Sequence, residues 1–386
     1  MIPYGRQDIS QADIDAVISV LNSDFLTQGP EVPRFEKIVA SHVGARHAFA
    51  VNSATSALHI ACLALGLGAG DWLWTSPITF VASANCGLYC GANVDFVDID
   101  PNTYNLSVDA LERKLSSAKI EGRLPKVVVV VHLCGQPAEM DRIHALSMHY
   151  GFRLIEDASH AIGGMYKGEF IGNGRFSDIT IFSFHPVKII TTAEGGMAVT
   201  NSDEIAQKLE LYRSHGITRN PDVMTHEPDG PWYYQQVGLG FNYRMTELQA
   251  ALGTSQMHRL DSFVARRHEL AKRYDQLIAD LPVITPWQHP DSYSGLHLYV
   301  IRLRLGELQK TRRQVFEELR EAGIGVNVHY IPVHIQPYYE AMGFKFGDFP
   351  EAEAYYSEAI SLPMFQSMTD IQQDNVVSVL GNVLTK

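Results

Sequence analysis

The sequence predicts an α/β protein, with a large three-layer domain built on a mostly parallel sheet (residues 1–260) and a small α+β domain (261–386). Short apolar runs alternate with helical patterns from residue 47 to about 200, the order expected of strand–helix–strand crossovers. Five successive valines, Val127–Val131, form the continuous apolar run of a parallel strand buried on both faces. At 386 residues, the chain is also long for one domain.

The elements follow in chain order. Ser10 is the predicted N-cap of a first helix whose inner face carries Ile14, Val17, Ile18 and Leu21, and a second short helix follows. Strands are predicted at 48–51, 72–75, 94–97, 126–131, 153–157 and 179–184, and helices at 57–65, 108–115, 204–214 and 246–281 with a break near 261. The C-terminal domain is predicted to contain a strand at 298–303, a helix at 311–322 and a short strand at 325–329.

The composition excludes several classes of protein. With 31 basic and 43 acidic residues the net charge is −12, so we expect neither nucleic acid nor an anionic membrane as a partner. No run of 18 apolar residues is present, and the N-terminus lacks the layout of a signal peptide. The four cysteines are too few for a disulfide framework and lack the second pair of a zinc site. These features predict a cytoplasmic protein without a zinc site.

Two strand ends carry the residues of a candidate cofactor site. Lys188 follows the apolar run 179–184 in an otherwise uncharged segment, and a desolvated amine is suited to a covalent bond with an aldehyde. Asp157 ends the run 153–157, about thirty residues earlier. Pyridoxal 5′-phosphate (PLP) needs such a lysine, and an acid that keeps its ring nitrogen protonated. Taken alone, Lys188 also fits a surface lysine and Asp157 a helix N-cap, but the pair predicts a PLP site.

Further candidates lie at the ends of other predicted strands. The turn that holds Ala54 and Thr55 precedes a helix, where free N–H groups and the helix dipole favour a phosphate. Ser183 could add a hydroxyl to the same phosphate, and Phe80 could stack on a pyridine ring, although a core position is its commoner fate. Because ligands of open α/β sheets bind outside the carboxyl ends of strands, we expect these residues to share one site.

The motifs Ser183 to Gly196 (SFHPVKIITTAEGG) and Glu156 to His160 (EDASH) resemble the signature of the DegT/DnrJ/EryC1/StrS nucleotide-sugar aminotransferases, and the similarity extends over nearly the whole chain. The resemblance implies fold type I, the aspartate aminotransferase-like fold of PLP-dependent transferases. It implies PLP bound covalently to Lys188 and transamination between L-glutamate and a UDP-linked ketosugar. Within the family the chain most resembles the enzymes of pseudaminic acid biosynthesis, a pathway linked to flagellin glycosylation, whose substrate is UDP-2-acetamido-2,6-dideoxy-β-L-arabino-hex-4-ulose.

The resemblance also implies individual contacts. His160 would hydrogen-bond the phenolic oxygen of PLP or order Asp157, and contacts to the phosphate would come from Thr55 and Ser183. Asn242 would reach the phosphate of a neighbouring subunit, which implies a homodimer with shared active sites. The N-terminal segment, residues 1–30, would line the sugar site. The residues implied to bind the sugar nucleotide are Tyr4, Phe25, Leu26, Thr27, His185, Asn327, His329 and Tyr330.

Several of these assignments have alternatives. His185 fits a structural turn residue equally well, and the C-terminal domain could serve only packing and dimerisation. A related substrate is the UDP-4-keto-pentose of lipid A modification, whose enzymes also have a histidine three residues before the lysine. A PLP-dependent sugar dehydratase would carry histidine in place of Lys188. A non-catalytic PLP-binding sensor would be expected to have a DNA-binding appendage and a basic patch, and the sequence shows neither.

Overall fold

The computed structural model describes residues 1–385. The helices are α1 Gln11–Leu21, α2 Glu31–Val43, α3 Ala54–Ala64, α4 Ala82–Tyr89, α5 Val108–Glu121, α6 Met140–Tyr150, α7 Asp203–Arg213, α8 Glu247–Met257, α9 Leu260–Leu277, α10 Arg312–Glu321, α11 Pro337–Glu340, α12 Pro350–Glu358 and α13 Asp370–Thr385. The strands are β1 Ile2–Pro3, β2 His47–Val51, β3 Trp72–Thr75, β4 Asn93–Phe96, β5 Val127–Val131, β6 Arg153–Asp157, β7 Met165–Tyr166, β8 Glu169–Phe170, β9 Ile179–Ser183, β10 Gly196–Thr200, β11 Ile217–Thr218, β12 Gln235–Gln236, β13 Val283–Ile284, β14 Ser292–Tyr293, β15 Tyr299–Leu303, β16 Ile324–Gly325 and β17 Ala359–Leu362.

A seven-stranded sheet, formed by strands between residues 47 and 200, has the strand order β2-β10-β9-β6-β5-β3-β4. Strand β10 is antiparallel to both of its neighbours, whereas β9, β6, β5, β3 and β4 run parallel to one another. The mostly parallel sheet predicted from the sequence is therefore confirmed. Six strands, β2, β3, β4, β5, β6 and β9, end at one edge, and the antiparallel β10 begins there.

Helices cover both faces of this sheet. The side chains of β5 alternate between two apolar clusters, Val128 and Val130 on one face and Val127 and Val129 on the other. The first cluster includes residues of α2, α5, α6, α8 and α9, and the second includes residues of α3, α4 and α7. All five valines of β5 are buried, which confirms the prediction from their apolar run.

A third apolar cluster lies in the C-terminal part of the chain, and its buried members run from Leu270 to Leu384. It packs around the antiparallel sheet β13-β15-β17. The domain boundary at residue 260 stays a prediction. The first strand of the chain, β1, pairs in parallel with β16 of this C-terminal part. This pairing carries the N-terminus across the molecule and brings the ring of Tyr4 to 5.2 Å from that of His329.

Two predictions about local structure are wrong. On α1, Ile14, Ile18 and Leu21 are about half exposed, and the buried residues are Asp13 and Val20. The helix turns this other face inward because Asp13 accepts hydrogen bonds from Arg259 and Gln256 (2.5 and 2.8 Å). The strand predicted at 325–329 is only the two-residue β16, followed by an isolated bridge from Asn327 to Ser361. Across residues 1–385, none of the helices combines the length and apolar character needed to span a bilayer.

Candidate active site

A cavity of about 390 Å³ opens at the edge where the parallel strands end. Most of the residues predicted at the site line it, although they come from six separate segments of the chain. These residues are Tyr4, Ala54, Thr55, Phe80, Asp157, His160, Ser183, His185, Lys188, Asn327, His329 and Tyr330. The convergence expected from the strand ends is therefore present, and the N-terminal segment reaches the cavity through Tyr4.

Lys188 lies in the wall of the cavity, five residues beyond the end of β9. Within residues 1–385 its ammonium group has neither a hydrogen bond nor an ion pair. Burial lowers the pKa of Lys188 to about 8, and the negative charge of Asp157 opposes this shift only in part. A lysine with this pKa is partly neutral near physiological pH, which is the form that attacks an aldehyde and accepts a proton.

The carboxylate of Asp157, at the end of β6, is held by two donors. The Ser83 hydroxyl donates to Oδ2 at 2.7 Å, and the Ser159 backbone N–H donates to Oδ1 at 3.2 Å. Ser83 is in turn hydrogen-bonded to the Thr79 hydroxyl at 2.7 Å. All of these side chains except Ser159 are almost fully buried. The carboxylate is thus fixed in orientation, as required of a group that must meet one atom of a planar ring.

The N-terminus of α3 faces the same cavity. Ser53 is its N-cap and accepts a hydrogen bond from the Ser56 N–H at 3.1 Å. In the described part of the chain, the N–H groups of Ala54 and Thr55 have no acceptor. A Cβ built on Gly196, the first residue of β10, would lie 2.5 Å from the Ala54 nitrogen. The space around these two donors therefore depends on glycine at that position, and the donors suit a phosphate.

His160 is oriented by groups other than Asp157. Its Nδ1 accepts a hydrogen bond from the backbone N–H of Cys134 at 3.2 Å, and its Nε2 lies 3.1 Å from the Tyr330 hydroxyl. Asp157 bonds to Ser83 and Ser159 instead. His132, the residue that follows β5, is buried, and its Nε2 lies 2.8 Å from Glu156 Oε2.

The structure adds residues that sequence reasoning missed. His297 lines the cavity, its ring centroid lies 4.5 Å from that of His160, and its buried Nδ1 has no partner within residues 1–385. Glu194 also lines the cavity. The i, i+4 spacing of Thr79 and Ser83 after a strand was the only signal that could have indicated the support of Asp157. His297 lies just before a strand and has no comparable signal.

A buried arginine lies behind His297. The guanidinium of Arg267 donates to the backbone carbonyls of Leu296 and His297 (3.2 and 3.0 Å) and to the side chain of Gln366 (3.0 Å). The residue is 1% exposed, and no carboxylate in residues 1–385 forms an ion pair with it. Burial lowers the pKa of Arg267 to about 10, so it stays a cation at physiological pH. One charged side chain thus fixes the segment that carries His297.

Four predicted residues lie outside the cavity of their own chain. Phe25 and Leu26 are about half exposed, and Thr27 and Asn242 are also exposed. Residues 25–27 lie near the segment that carries Asn242. Glu247, five residues after Asn242, donates its backbone N–H to the Leu26 carbonyl at 3.1 Å. Their predicted roles stay predictions.

Comparison with known proteins places this site in a family. A model of the DegT/DnrJ/EryC1/StrS aminotransferase family matches residues 7–381. The chain belongs to this family. A curated relative, the UDP-4-amino-4,6-dideoxy-N-acetyl-β-L-altrosamine transaminase of Campylobacter jejuni serotype O:2, is 38% identical over 387 residues, covering 100% of this chain and 98% of the relative. The spore coat polysaccharide biosynthesis protein SpsC of Bacillus subtilis is 40% identical, over 99% and 97% of the two chains.

Solved structures agree with this assignment. Helicobacter pylori PseC, an aminotransferase involved in the biosynthesis of pseudaminic acid, superposes with a TM-score of 0.90 at 31% identity, over 99% of both chains. The PLP form of the putative sugar aminotransferase Spr1654 of Streptococcus pneumoniae gives 0.89 at 28% identity, over 99% of this chain and 98% of that one. The fold is therefore type I, as predicted, and the protein is a PLP-dependent sugar aminotransferase.

The residues of the cavity fit PLP. Lys188 supplies an amine without a competing partner, Asp157 a fixed carboxylate, and the first turn of α3 two free N–H donors. Ser183, at the end of β9, also lines the cavity. An amine, a carboxylate and a phosphate cradle are the three features that this cofactor requires, and they share one cavity.

Proposed function

We propose that the protein transfers the amino group of L-glutamate to C4 of a UDP-linked 4-keto-6-deoxy-N-acetylhexose. The proposed substrate is UDP-2-acetamido-2,6-dideoxy-β-L-arabino-hex-4-ulose, and the products are the 4-amino sugar and 2-oxoglutarate. The choice of sugar is supported by the similarity to the Campylobacter transaminase and to Helicobacter PseC, and the proposed setting is pseudaminic acid biosynthesis in the cytoplasm. The observation that supports the chemistry best is the meeting of Lys188 and Asp157 in one cavity.

The roles of the residues follow from their chemistry. We propose that PLP binds covalently to Lys188, with its phosphate at Ala54, Thr55 and Ser183; when bound, it supplies an electron sink for the electron pair left at the substrate carbon. Once glutamate has displaced Lys188 from the cofactor, its freed amine would take the proton from the α-carbon of glutamate, and it would later deliver a proton to C4 of the sugar. The fixed carboxylate of Asp157 holds a proton on the nitrogen that faces it.

The assembly is proposed to be a homodimer with shared active sites. The exposed positions of Asn242 and of the 25–27 loop support a role outside their own cavity. Exposed apolar side chains lie in the segment between α7 and α8, among them Trp232, Tyr234 and Leu239. Burying such side chains against a second copy would be favourable.

The test uses the visible absorbance of the purified protein before and after L-glutamate. The wild type should show the band of lysine-bound PLP and lose it with glutamate. Lys188→Ala should lack that band and lose roughly 100- to 10,000-fold in turnover, the usual contribution of a general acid–base. Lys272→Ala, a change at an exposed lysine of α9, is the matched control and should behave like the wild type.

The second half of the test identifies the sugar. The glutamate-treated protein is mixed with the proposed hexulose and, separately, with the UDP-4-keto-pentose, and return of the band reports amino transfer. Return with the hexulose alone supports the proposal, and return with the pentose alone would replace it. If glutamate leaves the band unchanged, the assignment of the amino donor is wrong.

A further inference from the structure

Two side chains in the wall of the cavity, His160 and Tyr330, form a chain of hydrogen bonds with the backbone N–H of Cys134. The backbone N–H of Cys134 lies 3.2 Å from His160 Nδ1, and His160 Nε2 lies 3.1 Å from the Tyr330 hydroxyl oxygen. The Cys134 N–H belongs to the short 3₁₀ turn Leu133–Gly135 that follows β5. The planes of the His160 imidazole and the Tyr330 phenol are roughly parallel, with an interplanar angle of 23°.

The direction of each hydrogen bond follows from the first donor. A backbone N–H can only donate, so Nδ1 of His160 must be the unprotonated nitrogen that accepts. In a neutral imidazole the hydrogen is then on Nε2, which donates to the oxygen of Tyr330. That oxygen therefore accepts from His160, and its own hydrogen is left for another acceptor. In the part of the chain that the structure describes, no protein group takes this hydrogen.

The protonation states that this direction requires are stable. Burial, assisted by the positive charge of Lys188, holds the pKa of His160 well below its usual range, so the ring is neutral. Burial likewise raises the pKa of Tyr330, so the phenol keeps its hydrogen. Neither group changes its charge between pH 6 and 9.

The Tyr330 hydroxyl belongs to the cavity wall. Tyr330 lines the cavity together with Lys188 and Asn327, and its ring centroid lies 6.3 Å from that of Phe80. We propose that Tyr330 donates its phenolic hydrogen to an sp² oxygen of the bound substrate, and that the Cys134 N–H fixes this direction through His160. Resting on the proposed function, the acceptor is the ketone of the sugar or a carboxylate of the amino donor.

The experiment measures substrate binding and turnover separately in the two half-reactions. Tyr330→Phe removes the donor, and affinity should fall about tenfold if the acceptor is a ketone and about tenfold to a hundredfold if it is a carboxylate. The affected half-reaction, with glutamate or with the ketosugar, identifies which oxygen is bound. Tyr338→Phe, at a tyrosine that is 66% exposed and outside the cavity, is the matched control and should leave both half-reactions unchanged.

Variants of His160 test the relay itself. His160→Leu cannot donate to Tyr330 and should reproduce most of the loss seen with Tyr330→Phe. His160→Gln offers a carbonyl to the Cys134 N–H and an amide donor to Tyr330, so it should recover part of that loss. The double variant His160→Leu/Tyr330→Phe should lose little more affinity than either single variant, because both changes remove one interaction.

Three results would overturn the proposal. Tyr330→Phe could bind both substrates as the wild type does, or the losses of the two single variants could add in full. Tyr330→Phe could instead shift the pH titration of the visible PLP band without changing either half-reaction, which would place the hydrogen bond on the cofactor. Inactivity of the wild type toward the hexulose would refute the proposed sugar but not the relay, because the glutamate half-reaction still reports on Tyr330.

Discussion

Within residues 1–385 the amine of Lys188 has no hydrogen-bond or ion-pair partner. Its pKa is therefore set by burial and by the nearby charge of Asp157. With a pKa of about 8, roughly a quarter of the amine is neutral at pH 7.5, against about one part in a thousand at the usual 10.5. Burial disfavours the charged form, so the neutral fraction is about one half at pH 8 and levels off only about one pH unit higher. This single residue should therefore set the pH dependence of cofactor uptake.

We expect the rate at which the apoprotein takes up PLP to rise from pH 6, to reach half of its maximum near pH 8 and to level off at about pH 9. The measurement follows the visible band after mixing at a series of pH values. Lys188→Ala, which cannot form that band, gives the background. A rate that continues to rise up to pH 10 would show that Lys188 keeps its ordinary pKa.

Ser83 should matter for activity although it does not line the cavity. Ser83→Ala removes the 2.7 Å hydrogen bond to Asp157, and a hydrogen bond to a charged group contributes about 1.5–3 kcal/mol, so PLP affinity or turnover should fall about tenfold to a hundredfold. Both are measured by titration with PLP and by steady-state kinetics. Ser357→Ala, at an exposed serine of α12, is the control. Unchanged kinetics of Ser83→Ala would mean that Ser159 alone orients the carboxylate.

At the scale of residues, the sequence predicts the reactive side chains better than the residues that hold them in place. Lys188 and Asp157 could be predicted because a lysine and a carboxylate at strand ends have few other uses in combination. The support of Asp157 by Ser83 and the position of His297 could not be predicted, because both depend on how distant segments pack. Asn242 and Phe25 lie outside the cavity of their own chain, so the single chain leaves their predicted roles untested.

Among the elements, the contact between β10 and α3 controls the phosphate cradle. In Gly196→Ala the new Cβ would lie 2.5 Å from the Ala54 nitrogen, so the turn must move. Overpacking of this kind costs about 1–3 kcal/mol, and PLP affinity should fall about tenfold to a hundredfold if the cradle absorbs the shift. Titration of the apoprotein with PLP measures the effect.

The matched control is Gly68→Ala, because no heavy atom lies within 4 Å of a Cβ at that position. It should bind PLP like the wild type. Gly196→Ala could also bind PLP normally while its melting temperature falls. That result would mean that the new Cβ destabilises the fold without disturbing phosphate binding, so the phosphate does not bind at the first turn of α3.

Helix α1 shows why patterns predict helices better than their orientation. Its apolar stripe correctly predicted a helix but not the buried face, since Asp13 turns inward to meet Arg259 and Gln256. The sequence gives no signal that this aspartate has partners almost 250 positions away. Apolar periodicity indicates which side chains are favoured to leave water, but not which surface covers them. The exposed apolar side chains of α1 could therefore pack against a second molecule.

For the whole molecule, the proposed sharing of active sites makes a quantitative prediction. Lys188→Ala and Asn242→Ala should each be inactive or nearly so, because one lacks its amine and the other a phosphate contact. In an equal mixture that exchanges subunits, half of the dimers are hybrids with one intact site, so activity should return to about a quarter of the wild type. Mixing either variant with itself is the control. If subunit exchange is demonstrated and activity does not return, Asn242 contributes to the active site of its own subunit or to no active site.

The architecture of the molecule could be predicted in outline. Alternating strands and helices indicated a parallel sheet, and the six strands predicted in the large domain are present with small shifts at their ends. The order of strands in the sheet, the reversed β10 and the pairing of β1 with β16 could not be predicted. Each of them joins segments far apart in sequence, and local propensity contains no information about such pairings.

Arg267 has a consequence for the response of the protein to ionic strength. The chain carries a net charge of −12, so its surface repels an anionic sugar nucleotide, and added salt screens that repulsion. The cation of Arg267 acts from the interior, behind His297, where mobile ions hardly reach it. We therefore expect the Kd of the proposed UDP-sugar to stay constant or to fall as salt is raised, which is the opposite of the response of a site whose attraction comes from exposed lysines.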